Sequence, residues 1–147
     1  MLHDYTDVTS ARVEEATERA LQQAESLVGS VIGAPRTLAG IMAPLDELTA
    51  SLADAYGEGA FMARVHPAAE VRATGSAAEE RLDKLRVELV FREDLSRAVS
   101  EYAETEEAAH LSGERRRLLD HWLRDFRRAG HHLPPDTRGE VERLRAR

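Results

Sequence analysis

Residues 114–130 read ERRRLLDHWLRDFRRAG, and this stretch decides the fold. Leu118, Leu119, Trp122, Leu123 and Phe126 recur at steps of three and four, which puts them on one face of a helix. Arginine and aspartate, with Glu114 and His121, fill most of the other positions. Gly130 then sits where a helix needs a C-terminal residue free to take positive φ, and Leu133-Pro134-Pro135 stops any continuation. No strand reading places these apolar residues on a single side, because a strand alternates with period two.

Working outward, the same period recurs. Thr9 is an N-cap candidate, with Glu14 and Glu15 in the early turns that follow. Val13, Ala16, Ala20, Ala24, Leu27 and Val28 form its stripe, and Gly29, Gly33 and Pro35 are expected to end it. Val28–Ile32 is the one run that reads as a strand. Nothing else in the chain offers it a partner, so it is taken as a helix end and turn. A second helix is expected near Thr37, carrying Leu38, Ile41, Met42, Leu45, Leu48, Leu52 and Ala55. Pro44 lies inside it and predicts a kink or a late start. Gly57 and Gly59 weaken its far end, and Ala60–Val65 either continues it or forms a short helix of its own.

Pro67 suits the first position of a third helix. Val71, Ala78, Leu82, Leu85, Leu89, Val90, Leu95, Val99 and Tyr102 predict one long element reaching Ala103, with Gly75–Ser76 as its weak point. After the fourth helix, Thr137 and Glu140 stand at capping-box spacing, and Val141 and Leu144 begin a fifth stripe. The expected fold is therefore all-α, an antiparallel bundle of about four to five helices. Residues 1–34 form an N-terminal helix and turn, and residues 35–147 form the rest.

Composition agrees and excludes several functions. The chain has 147 residues, 42% of them apolar and 32% charged, which suits a globular domain with a real core. It has no cysteine, so disulfide frameworks, thiolate zinc sites and cysteine nucleophiles are excluded. Lys84 is the only lysine, and the basic charge is otherwise arginine. The N-terminal MLHDYTDVTS carries acids where a secretory signal carries basic charge and then an apolar run. The longest uncharged runs fall far short of the roughly 20 residues that cross a bilayer. A soluble, cytoplasmic chain with no membrane partner is expected.

Candidate chemistry is sparse. None of the six histidines is followed by glutamate, so the His-Glu-x-x-His helix of zinc peptidases is absent. Glu107 and His110, three apart, have the spacing of one half of a carboxylate-bridged di-metal motif. This chain has a single copy, and an acidic, solvated helix start is the favoured reading. His131-His132 directly follows Gly130 and reads as a cationic C-terminal cap beside Arg127 and Arg128. Residues 112–147 carry ten arginines and six acids, against a net charge of -7 for the whole chain. Arg115-Arg116-Arg117 and Arg127-Arg128 are a possible phosphate-binding patch. Asp120 and Asp125 interleave with them and no exposed aromatic platform accompanies them, so a solvated face, or one facing the acidic half of the protein, is expected and nucleic acid is not. Glycine-rich phosphate loops and a nucleophile elbow are absent. No catalytic, cofactor-binding or metal residue is assigned.

One resemblance spans about Pro35 to Arg147. Arg86-Val-Glu-Leu-Val-Phe-Arg-Glu-Asp-Leu95, followed by the stretch from Glu114 to Pro134, resembles the N-terminal region of the thimet oligopeptidase and neurolysin family of zinc metallopeptidases. Thr37-Leu38, Pro44-Leu45-Asp46 and the Val65-His66-Pro67 turn fit the same region in order. Arg92-Glu93-Asp94 and Arg127–Pro134 are its most specific parts, and Ser96 departs from it, since the family often has an aromatic there. The resemblance implies a mostly helical, two-lobed enzyme enclosing a channel that admits short peptides. It implies a zinc site in a later His-Glu-x-x-His helix, none of whose positions lies in this chain. The chain itself then holds no cofactor. Its expected role is channel wall and size exclusion, its expected partner the remainder of the peptidase, and its C-terminus an apparent truncation. Two other readings stand beside this one. The first is a stand-alone helical interaction module, and the second a metal-binding bundle built from several copies of Glu107 and His110.

Overall fold

The computed structural model describes residues 7–145, and it is all-α: among the described residues there is no strand. The chain divides into two compact units, residues 1–26 with 48–85 and residues 27–47 with 86–147. The first six residues, Asp4 among them, lie outside the described part.

The first helix, α1, spans Ser10–Gly33. Thr9 caps it, its hydroxyl accepting from the Arg12 amide at 3.3 Å. Val13, Ala16, Ala20, Ala24, Val28 and Val31 are all buried along one stripe. Val31 explains why the helix outlasts the expected break at Gly29: burial continues past the glycine and holds Val28–Ile32 helical rather than as a turn. The end comes at Gly33, where Arg36 Nη1 donates to the carbonyls of Ile32 and Ala34 at 3.3 and 2.7 Å. A cation on orphan carbonyls at a helix C-terminus is favourable both as a hydrogen-bond donor and as a charge.

Thr37 begins the next element, accepting from the Gly40 amide at 3.1 Å. Leu38–Met42 is a wide π turn, and regular helix α2 follows over Ala43–Ala55. Pro44 accounts for this start, since it has no N–H to return to the carbonyl four residues back. The Ala43 amide reaches instead to Leu38, five residues back, in the π pattern. A second π turn covers Tyr56–Ala60, with the Phe61 amide donating to Tyr56 at 2.9 Å. It contains Gly57 and Gly59, the pair expected to weaken this end. A one-turn helix of its own, α3, then spans Met62–Val65.

Helix α4 runs Ala69–Phe91, two residues later than Pro67 suggested. It does not break at Gly75–Ser76. A Cβ on Gly75 would lie 2.5 Å from the Ala63 amide nitrogen, so the glycine admits the backbone of α3 rather than weakening the helix. The single long helix to Ala103 is instead interrupted at Arg92, whose ψ of 115° is extended. Helix α5, Glu93–Ala103, restarts with Asp94 Oδ1 accepting from the Leu95 amide at 2.8 Å. Two acids in the first turn of a new helix supply the reason.

A one-turn α6, Glu106–Ala109, is capped by the Thr105 hydroxyl, which accepts from the Ala108 amide at 3.2 Å. Helix α7, Gly113–Arg128, buries Leu119, Trp122 and Phe126. It ends as expected at Gly130, φ +90°. The His131 amide donates to Phe126 and the Gly130 amide to Arg127, the two bonds of a Schellman cap. Helix α8 spans Pro135–Arg145, opening on proline. Thr137 therefore lies inside it and not at its cap, which corrects the expected capping box. Leu144 is exposed, and the side chain of Val141 lies outside the described part.

In the first unit, Val13, Met62, Val71 and Ala78 form a buried cluster with Val8 and Ala68 against it. In the second, α5 and α7 pack together, and both also meet the π turn at Leu38–Met42. Leu95, Ala98, Val99, Tyr102, Leu119, Trp122 and Phe126 are buried there.

Candidate functional site

The residues with candidate chemistry lie in the second unit, and the structure shows what each one holds. Glu107 Oε2 accepts from the amide of Leu38 at 2.5 Å. With Thr37 serving Gly40, two of the orphan donors at the start of the Leu38–Met42 turn are satisfied. Glu107 is thus a helix cap supplied from a distant element. His110 Nδ1 meets the carbonyl of Glu106 at 2.7 Å, within its own turn. The two members of the Glu-x-x-His pair are each engaged with backbone rather than with a shared point. Among the described residues no three His, Asp or Glu side chains converge as metal ligands.

His131 does more than cap α7. Its Nε2 donates to the carbonyl of Val90 at 2.8 Å, and its ring stands edge-on to Phe126 with centroids 5.6 Å apart. Arg138 Nη1 faces Nδ1 at 3.4 Å, and the same guanidinium pairs with Glu93. One half-buried imidazole therefore joins the end of α4, the end of α7 and the start of α8. The sequence reading missed Arg138 and Glu93. No local signal marks them, because they are 45 residues apart in the chain. His132 is exposed.

Tyr102 is fully buried in α5, and its hydroxyl has no hydrogen-bond partner among the described residues. Burial pushes its phenol above the ordinary value of 10.0, the Glu107 carboxylate pushes it further, and Arg115 opposes both. The arginines of α7 are exposed, and several are answered within the helix. Arg116 pairs with Asp120 at 3.0 Å, Arg117 with Glu114 at 2.7 Å, and Arg124 with Asp125 at 3.4 Å. Asp125 also meets the imidazole of His121 at 3.1 Å. The interleaved acids thus make the basic patch a face of mixed charge.

In the first unit, an open groove of about 440 Å³ runs between α1 and α4. Glu14, Thr17 and Glu18 line one side and Ala73, Thr74, Ala77 and Ala78 the other, with Arg81 closing the ion pair to Glu18 at 2.7 Å. Thr17 and Thr74 turn their hydroxyls back to carbonyls of their own helices at 2.8 and 3.0 Å, so no polar group is left directed into the groove by either. Chemically the arrangement offers a shallow acidic cleft and no nucleophile–base pair. No helix among the described residues is long and apolar enough to cross a membrane. No protein-family model matches the chain.

Proposed function

We propose that this chain is a non-catalytic N-terminal helical segment of a zinc-dependent oligopeptidase, contributing channel wall and size exclusion while later helices carry the metal and the hydrolysis. The observation behind the reading is a contact between two of the stretches that carry the resemblance to the thimet oligopeptidase family. His131, within Arg127–Pro134, donates to Val90, within Arg86–Leu95, and α5 packs on α7. Two stretches that carry the resemblance thus lie in one structural unit. In the complete enzyme the zinc would polarise the scissile carbonyl and activate water.

Two measurements test this. The coding sequence downstream of codon 147 is expected to stay open and reach a His-Glu-x-x-His motif; a stop with no peptidase frame beyond it removes the reading. The purified chain is expected to show no zinc-dependent cleavage of a quenched peptide. Turnover that vanishes with a chelator and survives repurification overturns the non-catalytic assignment.

A second reading, a helical interaction module, draws on Phe61 and Val65. They lie one helical turn apart and are 47% and 53% exposed, which puts apolar surface at this end of the first unit. A stable, cooperative, monodisperse species in isolation favours it, and an aggregating chain favours the peptidase segment.

A further inference from the structure

Three of the four exposed acids of α1 and three of the six exposed arginines of α7 share one face of their helix and are spaced as mirror images. Glu14, Glu18 and Glu25 fall at steps of four and then seven along α1, all exposed. Arg117, Arg124 and Arg128 fall at steps of seven and then four along α7, also all exposed. Steps of four and seven keep residues on one face of a helix, about 6 Å and about 10.5 Å apart along the axis. Laid antiparallel, the two rows bring Glu14 opposite Arg128, Glu18 opposite Arg124 and Glu25 opposite Arg117. The other charges do not spoil that register. Arg19 meets Leu123, Arg12 meets Gly130, and Asp120 meets Gln22.

We propose that these two faces dock on each other between copies of this chain, the acidic row of α1 on one copy receiving the arginine row of α7 on a second. Charge complementarity in register argues for a second copy as the occupant. So does the shared origin of the rows: one chain carries both, so they are always present in equal amounts. The groove beside Glu14 and Glu18, floored by alanines, gives the long arginine side chains apolar surface to lie along. The pairs now seen, Glu18 with Arg81, Arg117 with Glu114, and Arg124 and Arg128 with Asp125, are at the surface, where such pairs are weak and can be exchanged for the facing carboxylates. The interface joins two different faces, so it is heterologous. It does not depend on the peptidase reading, and either can fail without the other.

Sedimentation velocity of the full chain in low and high salt is the test. At low salt a dimer or larger species is expected. It should revert to monomer near about 1 M salt, where charges are screened beyond about 3 Å. The triple variants E14R/E18R/E25R and R117E/R124E/R128E should each lose self-association by at least roughly tenfold. Mixing the two should restore it, since each then supplies the face that the other reversed. Because all six positions are exposed, far-UV circular dichroism should match the parent; if a triple variant does not fold, E18Q and R124Q replace it, each expected to weaken association. A parent that stays monomeric at low salt overturns the proposal, as does association indifferent to salt or to these changes. Binding of a polyglutamate peptide by a chain that does not self-associate assigns the arginine row to an acidic partner instead, and also overturns it.

Discussion

The guanidinium of Arg92 grips the carboxylate of Asp94 through two hydrogen bonds, Nε to Oδ1 at 3.0 Å and Nη2 to Oδ2 at 2.7 Å. That bidentate bond, and the Leu95 amide after it, hold the Asp94 carboxyl below its ordinary 3.8. The unfolded chain therefore takes up this proton first as pH falls. The contribution is complete above 3.8 and disappears as pH drops through the lower folded value. Both side chains are more than a third exposed, so the effect is small. Urea midpoints measured from about pH 5 to pH 2 should fall less steeply in Arg92→Gln than in the parent. An unchanged slope would mean the pair has no part in acid unfolding.

Tyr102 predicts the opposite limb. Its phenol is raised above 10.0 by burial and by Glu107, so its contribution is full below that value and is lost as pH rises through the folded one. Tyr102→Phe should flatten the alkaline limb above pH 10. At neutral pH it should also be neutral or stabilising, by up to about 1 kcal/mol, because it removes a buried hydroxyl without a partner. A loss of more than about 1 kcal/mol would show that the hydroxyl is hydrogen-bonded.

Gly75 and Gly29 should respond in opposite directions to alanine. A Cβ at Gly75 would meet backbone atoms of Ala63 at 2.5 and 3.1 Å, which do not swing aside as a side-chain tip does. The overpacking costs about 1–3 kcal/mol, more than the helix propensity of about 1 kcal/mol that alanine restores. Gly29 has nothing within 4 Å and lies exposed in α1, so Gly29→Ala should gain about 0.5–1 kcal/mol. Thermal unfolding of the two variants distinguishes these outcomes by sign alone.

Glu107→Ala should lose about 1 kcal/mol, the usual worth of a helix cap, because the Leu38 amide then lacks its acceptor. His110→Ala should change stability by less than about 0.5 kcal/mol, since that ring bonds only to its own turn. Equal losses in the two variants, or bound metal that disappears with His110, would point back to a shared ligand role. Chemical denaturation and metal analysis of the same samples decide it.

The sequence made the helices legible because apolar steps of three and four are a local signal. Thr9, Thr37 and Gly130 could be placed as punctuation for the same reason. What it concealed was set by distant neighbours. The continuation of α1 through Gly29 depends on the burial of Val31, and the continuity of α4 at Gly75 depends on the backbone of α3. The break at Arg92 was in principle visible, since paired acids after an arginine can restart a helix, but the unbroken apolar seam outweighed it. The pairing of Thr137 with Glu140 misled because Pro135 had already opened the helix. At the candidate site, Glu106 and Glu107 stand in the first turn of α6, which their acidity makes legible locally. The use of Glu107 as a cap for Leu38 was out of reach of any local window.

That separation has a consequence in time. Leu38 and its acceptor lie 69 positions apart. A ribosome adds roughly 5–20 residues per second, so about 3–14 s pass after Leu38 is made before Glu107 exists. For that interval the nascent chain holds the start of its second helix with one cap fewer than the finished protein has. Slowing or speeding translation between these two codons would lengthen or shorten the exposure of Ile41, Met42 and Leu45 to chaperones.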